Sequence, residues 1–360
     1  MARDESVQSA IDNWAPRFIA NGIDYNDFQR VTGSVERWED WCRAWSECGA
    51  IYEGMAEKAE EQGYYASMAE HYFRAAICYH FGKYLFVRWP DQLRAAHEHV
   101  VRDYQKALPY FTFPGERVAI PYEGGATMYG ILRRPWQTPK PPVVILVPGL
   151  DSVKEELHNY GDDFLRRGMA VLAIDGPGQG EMEFTHPMRH DYDVPVKYAI
   201  DYLENRVDVD ATRVGLMGVS FGGQYAVRAA AFEPRLRAVI ENCGPYDQSL
   251  NFPDRPLISR ETMVHRLKAA DEAEALEKLR AFNLRGVAER VRCPVYVLHG
   301  AKDDLIPLSH VERLDREIRH APQKRIVIEP DGNHCCHNLY PIVRPRMADW
   351  LARALVSPCC

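Results

Sequence analysis

The stretch VGLMGVSFGGQ at residues 214–224 decides the fold. Its first half is an apolar run of the kind that forms a buried strand, and a helical pattern follows from Phe221 to Phe232. Ser220 therefore lies at a sharp turn between a strand and a helix, within the pattern Gly-x-Ser-x-Gly. The flanking glycines allow a tight bend and keep bulk away from a strained serine. Such a turn holds the hydroxyl above the carboxyl ends of the strands, where α/β sheets bind ligands.

Further short apolar runs lie on both sides of this stretch, and helical segments separate them. The runs are Val143–Val147, Ala170–Ile174, Ala238–Glu241, Val295–His299 and Ile326–Ile328. Strands that alternate with helices predict an α/β fold with a mostly parallel, doubly wound sheet. A hairpin signal, Glu123-Gly124-Gly125, precedes them.

The first 112 residues have a different pattern, which is helical and rich in aromatic side chains. Trp38, Trp41 and Trp45 lie on one helix face, and the helical period ends near Pro114. We therefore predict an all-helical unit over residues 1–112 and an α/β unit over residues 113–360. The aromatic side chains of the helical unit either pack as its core or in part line a substrate pocket.

About fifty residues separate the strand that ends at Glu241 from the strand that begins at Val295. They contain two charged helical stretches, which is more than an ordinary loop holds. We predict a helical lid insertion around residues 246–292, and the alternative is a surface excursion without a catalytic role.

Composition excludes several classes of protein. The 360 residues carry a formal net charge of −7, with 46% hydrophobic and 26% charged residues, which is typical of a globular protein and gives no reason to expect nucleic acid as a partner. No apolar run approaches the ~20 residues of a membrane helix, and the first residues, MARDE, lack the apolar segment of a secretory signal. Nine cysteines without a regular framework favour reduced thiols. We expect a cytoplasmic protein that binds neither nucleic acid nor membrane.

Two further residues complete a set for nucleophilic catalysis. A serine hydroxyl is a weak nucleophile, so a base must take its proton. His334 follows the last predicted strand and is the candidate base. The loop after the preceding strand offers Asp303 and Asp304, and we favour Asp303 because it lies three residues after Gly300 and four before Pro307. The chain order Ser, Asp, His predicts a nucleophile, an orienting acid and a base.

An oxyanion would need preorganised donors. We predict the backbone N–H groups of Phe221, directly after the serine, and of Leu150, in the loop after Val143–Val147. The glycine-rich run DGPGQGE at residues 175–181 lacks the Lys-Ser/Thr of a phosphate-binding loop.

The run His334-Cys335-Cys336-His337 offers an alternative interpretation as a metal site. Adjacent ligands point in divergent directions and lack the spacing of zinc motifs, so we predict no metal here. Cys335 is expected to be an inert, packed thiol.

Four motifs occur together with the helical N-terminal unit: PGLDSVKEE at 148–156, DGPGQGE at 175–181, GVSFGG at 218–223 and DGNHC at 331–335. In this combination the chain resembles the α/β-hydrolase family that includes 2,6-dihydroxypseudooxynicotine hydrolase and the fungal polyketide-shortening hydrolases of the Ayg1 type. It is similar, more loosely, to FrsA-like hydrolases. The N-terminal unit resembles the family in helical character and length more than in motifs.

The resemblance implies an α/β-hydrolase fold whose N-terminal helices form a cap over the active site. It implies a homodimer, and cleavage of a carbon–carbon bond beside a ketone in an aryl ketone or β-dicarbonyl compound, without a cofactor. The catalytic roles carry over to Ser220, Asp303 and His334.

The nicotine-pathway member uses a further acidic residue in its cleft. Glu241, Asp247 and Asp254 are the acids nearby in this sequence, and none is singled out.

Two other functions remain open at this point. The same triad would serve a carboxylic ester, thioester or amide hydrolase, or a transacylase, since one fold hosts many chemistries. A non-catalytic interaction protein on a hydrolase scaffold is the third, which the presence of all three triad residues disfavours. The expected partner is a small aromatic substrate.

Overall fold

The structure is a computed structural model that describes residues 3–356. Met1, Ala2 and residues 357–360 lie outside the described residues, so the outer ends of the two predicted units fall there, as do the last two of the nine cysteines. No helix within the described range is long and apolar enough to cross a bilayer.

Five helices precede the sheet and pack mainly on one another. They are α1 (Glu5–Ala20), α2 (Tyr25–Ser34), α3 (Trp41–Glu61), α4 (Tyr65–Lys83) and α5 (Pro90–Ala107). Asp4 caps the first of them by accepting a hydrogen bond from the N–H of Ser6 at 2.7 Å, as short polar residues do at helix N-termini. Pro90 occupies the first turn of α5, where its missing N–H leaves no helical hydrogen bond unmade.

The aromatic side chains of these helices form a core of their own. Phe18 of α1 stacks on Phe81 of α4 with ring centroids 3.8 Å apart, and Trp38, Trp41 and Trp45 are each at most 1% exposed. The three tryptophans therefore pack as core and do not line a pocket.

Two residues from beyond residue 112 join this aromatic core. Ile258 comes from the segment between the sixth and seventh strands, and Leu305 comes from the loop after the seventh. The helical layer, this segment and the loop thus share one hydrophobic core.

Eight strands form a single sheet within the described residues. They are β1 (Gly115–Pro121), β2 (Thr127–Arg133), β3 (Pro142–Val147), β4 (Ala170–Ile174), β5 (Asp210–Val219), β6 (Leu236–Asn242), β7 (Val295–Gly300) and β8 (Lys324–Glu329). The order across the sheet is β1-β2-β4-β3-β5-β6-β7-β8. β1 pairs with β2, and β2 with β4, antiparallel, and all other pairs are parallel. The predicted hairpin and mostly parallel sheet are confirmed.

Helices cover both faces of the sheet. They are α6 (His158–Leu165), α7 (Asp193–Glu204), α8 (Phe221–Phe232), α11 (Ser309–Glu317) and α12 (Tyr340–Val356). β3 is buried along its whole length, as expected for a central parallel strand covered on both faces. Two further helices, α9 (Leu257–Arg266) and α10 (Glu272–Leu279), lie between β6 and β7, where the insertion is predicted.

Candidate active site

Ser220 occupies the turn between β5 and α8 with an unusual backbone conformation, φ 56° and ψ −122°. A residue with a side chain rarely adopts a positive φ, and such backbone strain is typical of functional turns. Glycine is required on both sides, because a Cβ on Gly218 would lie 1.8 Å from the carbonyl oxygen of Gly222, and a Cβ on Gly222 would lie 2.4 Å from the carbonyl oxygen of Val147. The Ser220 N–H donates to the carbonyl of Asn242 at 2.8 Å, which fixes the turn against β6.

The structure brings the three predicted side chains together from three strand ends. His334 Nε2 lies 2.8 Å from Ser220 Oγ, and His334 Nδ1 lies 2.7 Å from Asp303 Oδ2. Both distances are within hydrogen-bond range. Asp304, the acid not chosen, makes neither contact. The arrangement is that of a nucleophile, a base and an orienting acid.

The local structure holds Asp303 in its ionised form. Its Oδ1 accepts the backbone N–H groups of Leu305 and Ile306 at 2.9 Å each. Burial alone would raise the pKa of Asp303, but the charge of His334 and the hydrogen bond between them hold that pKa below its ordinary value. An ionised acid keeps Nδ1 of the imidazole protonated, which leaves Nε2 free to accept the serine proton.

The two predicted oxyanion donors lie beside the serine. An ideal Cβ on Gly149, next to Leu150, would be 3.6 Å from Ser220 Oγ, and Phe221 follows the serine directly. Within residues 3–356, neither the Leu150 nor the Phe221 N–H donates a hydrogen bond to protein. Free backbone donors beside a nucleophile are what a developing oxyanion requires.

The glycine-rich run at 175–181 supports the Leu150 loop. Gln179 donates from Nε2 to the carbonyl oxygens of Pro148 and Gly149, at 2.7 and 3.2 Å, and its Oε1 accepts the hydroxyl of Tyr192 at 2.5 Å. The sequence marks this run as glycine-rich but does not indicate that Gln179 positions the loop.

A narrow cleft, partly open to solvent, lies over Ser220 and His334. Cap, core and insertion all line it. The residues include Trp14, Arg17, Asn21 and Leu85 from the helical layer, Leu150, Asp151, Glu156 and Tyr160 from the core, and Arg255 and Ser259 from the insertion. The cleft thus lies between the helical layer and the sheet, as the resemblance implies.

A buried ion-pair network joins the helical layer to the loop beside the serine. Arg17 of α1 donates two hydrogen bonds to Glu156 at 2.7 Å and one to Asp151 at 2.8 Å. Asn21 and His80 also contact Glu156, at 2.6 and 2.9 Å. Burial would raise the pKa of Glu156, but Arg17 and His80 hold it well below the ordinary value. These cap residues carry no sequence motif and were not predicted.

None of the three candidate acids lines the cleft. Glu241 is fully buried at the end of β6, where Oε1 accepts the N–H of Gly244, and burial raises its pKa to about 8. Asp247 accepts from Ser249 at 2.7 Å, and Asp254 is exposed. The acids that line the cleft are those of the Arg17 network, which follow the Leu150 loop in sequence.

Cys335, beside the base, is buried, and its thiol donates to the carbonyl of Asn242 at 3.8 Å. Burial raises its pKa, which disfavours the reactive thiolate. In the described part of the chain, three potential metal ligands converge at Cys243, His299 and Asp303, and in a second group at Glu53, His99 and Asp103. The first group would compete with His334 for its acid, and the run 334–337 forms no such group.

A model of the FrsA-like esterase family matches residues 24–303. The chain is 35% identical to 2,6-dihydropseudooxynicotine hydrolase of Paenarthrobacter nicotinovorans over 355 residues, which cover 96% of this chain and 92% of that protein. The crystal structure titled 2,6-dihydroxy-pseudo-oxynicotine hydrolase matches with a TM-score of 0.86, at 33% identity and 96% coverage of both chains.

Fungal relatives match over a smaller part. The α/β hydrolase gkaG of Penicillium citrinum is 28% identical over 61% of this chain, and the match covers 55% of the fungal protein. The chain therefore spans about half the length of this relative.

Proposed function

This chain belongs to the FrsA-like family of α/β-hydrolases, and from that membership we propose that it hydrolyses a carbon–carbon bond beside the ketone of an aryl ketone or β-dicarbonyl compound. One observation carries the proposal. The similarity to 2,6-dihydropseudooxynicotine hydrolase extends over 96% of the chain, so it includes the helical layer that roofs the cleft as well as the triad. A shared helical layer supports a related substrate class, because residues of that layer line the cleft over Ser220.

In the first step, Ser220 Oγ attacks the ketone carbon while His334 Nε2 takes the hydroxyl proton. The 2.8 Å contact between these atoms supports direct transfer. The carbonyl oxygen becomes an oxyanion, for which the free N–H groups of Leu150 and Phe221 are the donors. Asp303 stabilises the imidazolium that forms.

In the second step, the bond between the carbonyl carbon and its neighbour breaks, and the electron pair leaves with the neighbouring carbon. The imidazolium of His334 returns its proton to that carbon. Such a leaving group requires stabilisation by a hydroxylated ring or a β-carbonyl. Water, deprotonated by His334, then hydrolyses the acyl-Ser220 ester to a carboxylic acid and restores the serine.

We further propose that residues 1–112 act as a cap, residues 113–360 as the catalytic unit, and residues around 246–292 as a lid. The placement of Trp14 and Arg255 along the cleft supports these roles. The family resemblance supports a cytoplasmic protein and a homodimer. Light scattering on the purified full chain would test the homodimer.

The test of the reaction uses a 2-hydroxyaryl ketone and the matching aryl ester. Products from wild type and Ser220→Ala are separated by liquid chromatography. We expect the ketone to give a carboxylic acid and the free arene, and Ser220→Ala to abolish both. Turnover of the ester alone would contradict carbon–carbon cleavage.

A second candidate, hydrolysis of a carboxylic ester, thioester or amide, is favoured by the esterase family model over residues 24–303. It needs the same serine, base and oxyanion donors, and differs only in the leaving atom.

A further inference from the structure

The carboxylates that line or adjoin the cleft all have partners. Asp151 and Glu156 are paired with Arg17 at 2.8 and 2.7 Å. Asp303 is paired with His334 at 2.7 Å. Each of these carboxylates already contacts a basic side chain, so its charge is balanced without a substrate.

Arg255 is the exception among the charged residues of the cleft. In the described part of the chain, no carboxylate oxygen lies within 4 Å of its guanidinium. One nitrogen donates to the neutral side chain of Gln248 at 3.1 Å, and Nε is buried without a partner. The Nε2 donor of Gln248 is also buried and unpaired. The cleft therefore carries a cation and a neighbouring amide with unused hydrogen-bond donors.

The protein fixes Arg255 in this position. The residue lies in the turn before α9, and its carbonyl accepts a hydrogen bond from Arg260 at 2.7 Å. Asn251, four residues earlier, donates to the carbonyl of Leu305 at 2.6 Å, in the loop that also holds Asp303. The backbone segment that carries Arg255 is thus anchored to the same loop as Asp303.

A cation with a buried, unpaired donor is costly to hold, because no partner replaces the water that this donor loses. Burial accordingly lowers the pKa of Arg255 to about 10, and the charge of Asp303 acts in the other direction. Buried polar groups in native proteins are almost always paired with protein or ordered water, so the unpaired Nε of Arg255 leaves a donor for an acceptor from outside the protein.

We propose that Arg255 is a substrate-binding residue that pairs with an anionic oxygen of the substrate. The inference rests on the proposed function for its aryl ketone, and adds that this ketone is acidic. A carboxylate on the acyl side or an ionised ring hydroxyl would both supply the oxygen. Guanidinium groups bind such oxygens through a planar fork of donors.

Binding is measured first, by calorimetry on Ser220→Ala, which cannot turn the ligand over. The carboxylate arm compares 4-(2-hydroxyphenyl)-4-oxobutanoate with its primary amide. The phenol arm compares that amide with its 2-methoxyphenyl analogue, both carrying a nitro group para to the ring oxygen, at pH 8, where the nitrophenol is ionised and Arg255 keeps its charge. A charge-assisted hydrogen bond corresponds to a preference of roughly 10- to 100-fold for the anion.

Adding Arg255→Met should reduce that preference to near unity, and Arg255→Lys should restore part of it. Arg280→Met is the matched control, because Arg280 lies in the same insertion, is exposed and pairs with Glu277. It should leave the preference unchanged. Loss of preference in the carboxylate arm identifies an acyl-side acid, and loss in the phenol arm identifies the ring oxygen. An equal preference before and after Arg255→Met in both arms overturns the proposal.

A second measurement separates this proposal from the reaction itself. The ratio of kcat/KM for 4-nitrophenyl hemisuccinate and 4-nitrophenyl methyl succinate, corrected for uncatalysed hydrolysis, reports anion preference in ester cleavage. If ketones are not cleaved but this ratio falls tenfold or more in Arg255→Met, the proposed reaction fails and the role of Arg255 stands. If ketones are cleaved and Arg255→Met changes neither the binding preference nor this ratio, the proposed reaction stands and the role of Arg255 fails.

Discussion

Replacement of Arg17 by methionine tests whether the buried network couples the helical layer to the catalytic loop. Methionine fills similar volume without charge. It would leave Asp151 without its cation and Glu156 with only Asn21, His80 and Ser152. Breaking a buried ion pair by removing one partner costs about 3–5 kcal/mol. We expect a loss of this size in the free energy of unfolding at neutral pH.

The pH dependence should change as well. Arg17 and His80 hold the pKa of Glu156 well below its ordinary value, so the network stabilises the fold above the ordinary glutamate pKa, and this contribution is lost as the pH falls through the acid range. Without Arg17, the pKa of Glu156 rises. The decline of stability between about pH 5 and 3 should therefore be smaller in Arg17→Met than in wild type.

Urea unfolding followed by tryptophan fluorescence provides the assay, since the aromatic core reports on the helical layer. Glu156→Gln and the double variant complete a cycle, in which a coupling energy of about 1.5 kcal/mol or more is expected. Arg43→Met is the control, because Arg43 is exposed and pairs with Asp40 and Glu47 on the surface. A stability loss below about 1 kcal/mol in Arg17→Met, or additive single changes, would refute the argument.

Three further predictions concern the core. Asp303→Asn should lower kcat by about 10³- to 10⁴-fold with little loss of stability, because the amide favours the wrong imidazole tautomer of His334; steady-state kinetics with an unchanged unfolding midpoint would show it, and near-normal kcat would contradict it. As the pH rises from 4.5 to 8, the free energy of unfolding of wild type should fall by up to ~5 kcal/mol, because Glu241 keeps its proton in the folded state to about pH 8 and loses it earlier in the unfolded state. Glu241→Gln should lack this fall, and equally steep profiles of unfolding free energy against pH in both proteins would rule this out. Gln179→Leu should lower kcat by up to ~10²-fold with a smaller change in KM, because the Leu150 loop loses its support; a change confined to KM would argue against a positioning role.

The meeting of Ser220, Asp303 and His334 could be predicted from sequence because each of these residues follows a strand. Ser220, Asp303 and His334 are marked by local patterns of glycine, proline and apolar runs, and a parallel sheet then brings strand ends together without further information. The fold class follows from the same alternation of strands and helices.

Arg17 and Arg255 could not be predicted in this way. Arg17 meets Glu156 across 139 positions of sequence, and the contact depends on how the helical layer packs on the sheet. Arg255 stands in a segment without a motif, and its significance lies in the absence of a carboxylate partner among the described residues, which only three-dimensional structure reveals. The resemblance directed attention to acids near Glu241, whereas the cleft acids follow the Leu150 loop.

The hydrophobic core that the helical layer shares with the insertion has a consequence for how a substrate enters the cleft. Trp14 and Leu85 cover one side of the site and the turn at Arg255 covers another, while Ile258, three residues further on, is packed into the same core as Phe18. These two covers, the helical layer and the turn at Arg255, are therefore packed on one apolar core, and a movement of either displaces the other. Any widening of this cleft for substrate or product would therefore move both covers together, and motions of that kind take microseconds to milliseconds and set the turnover of many enzymes.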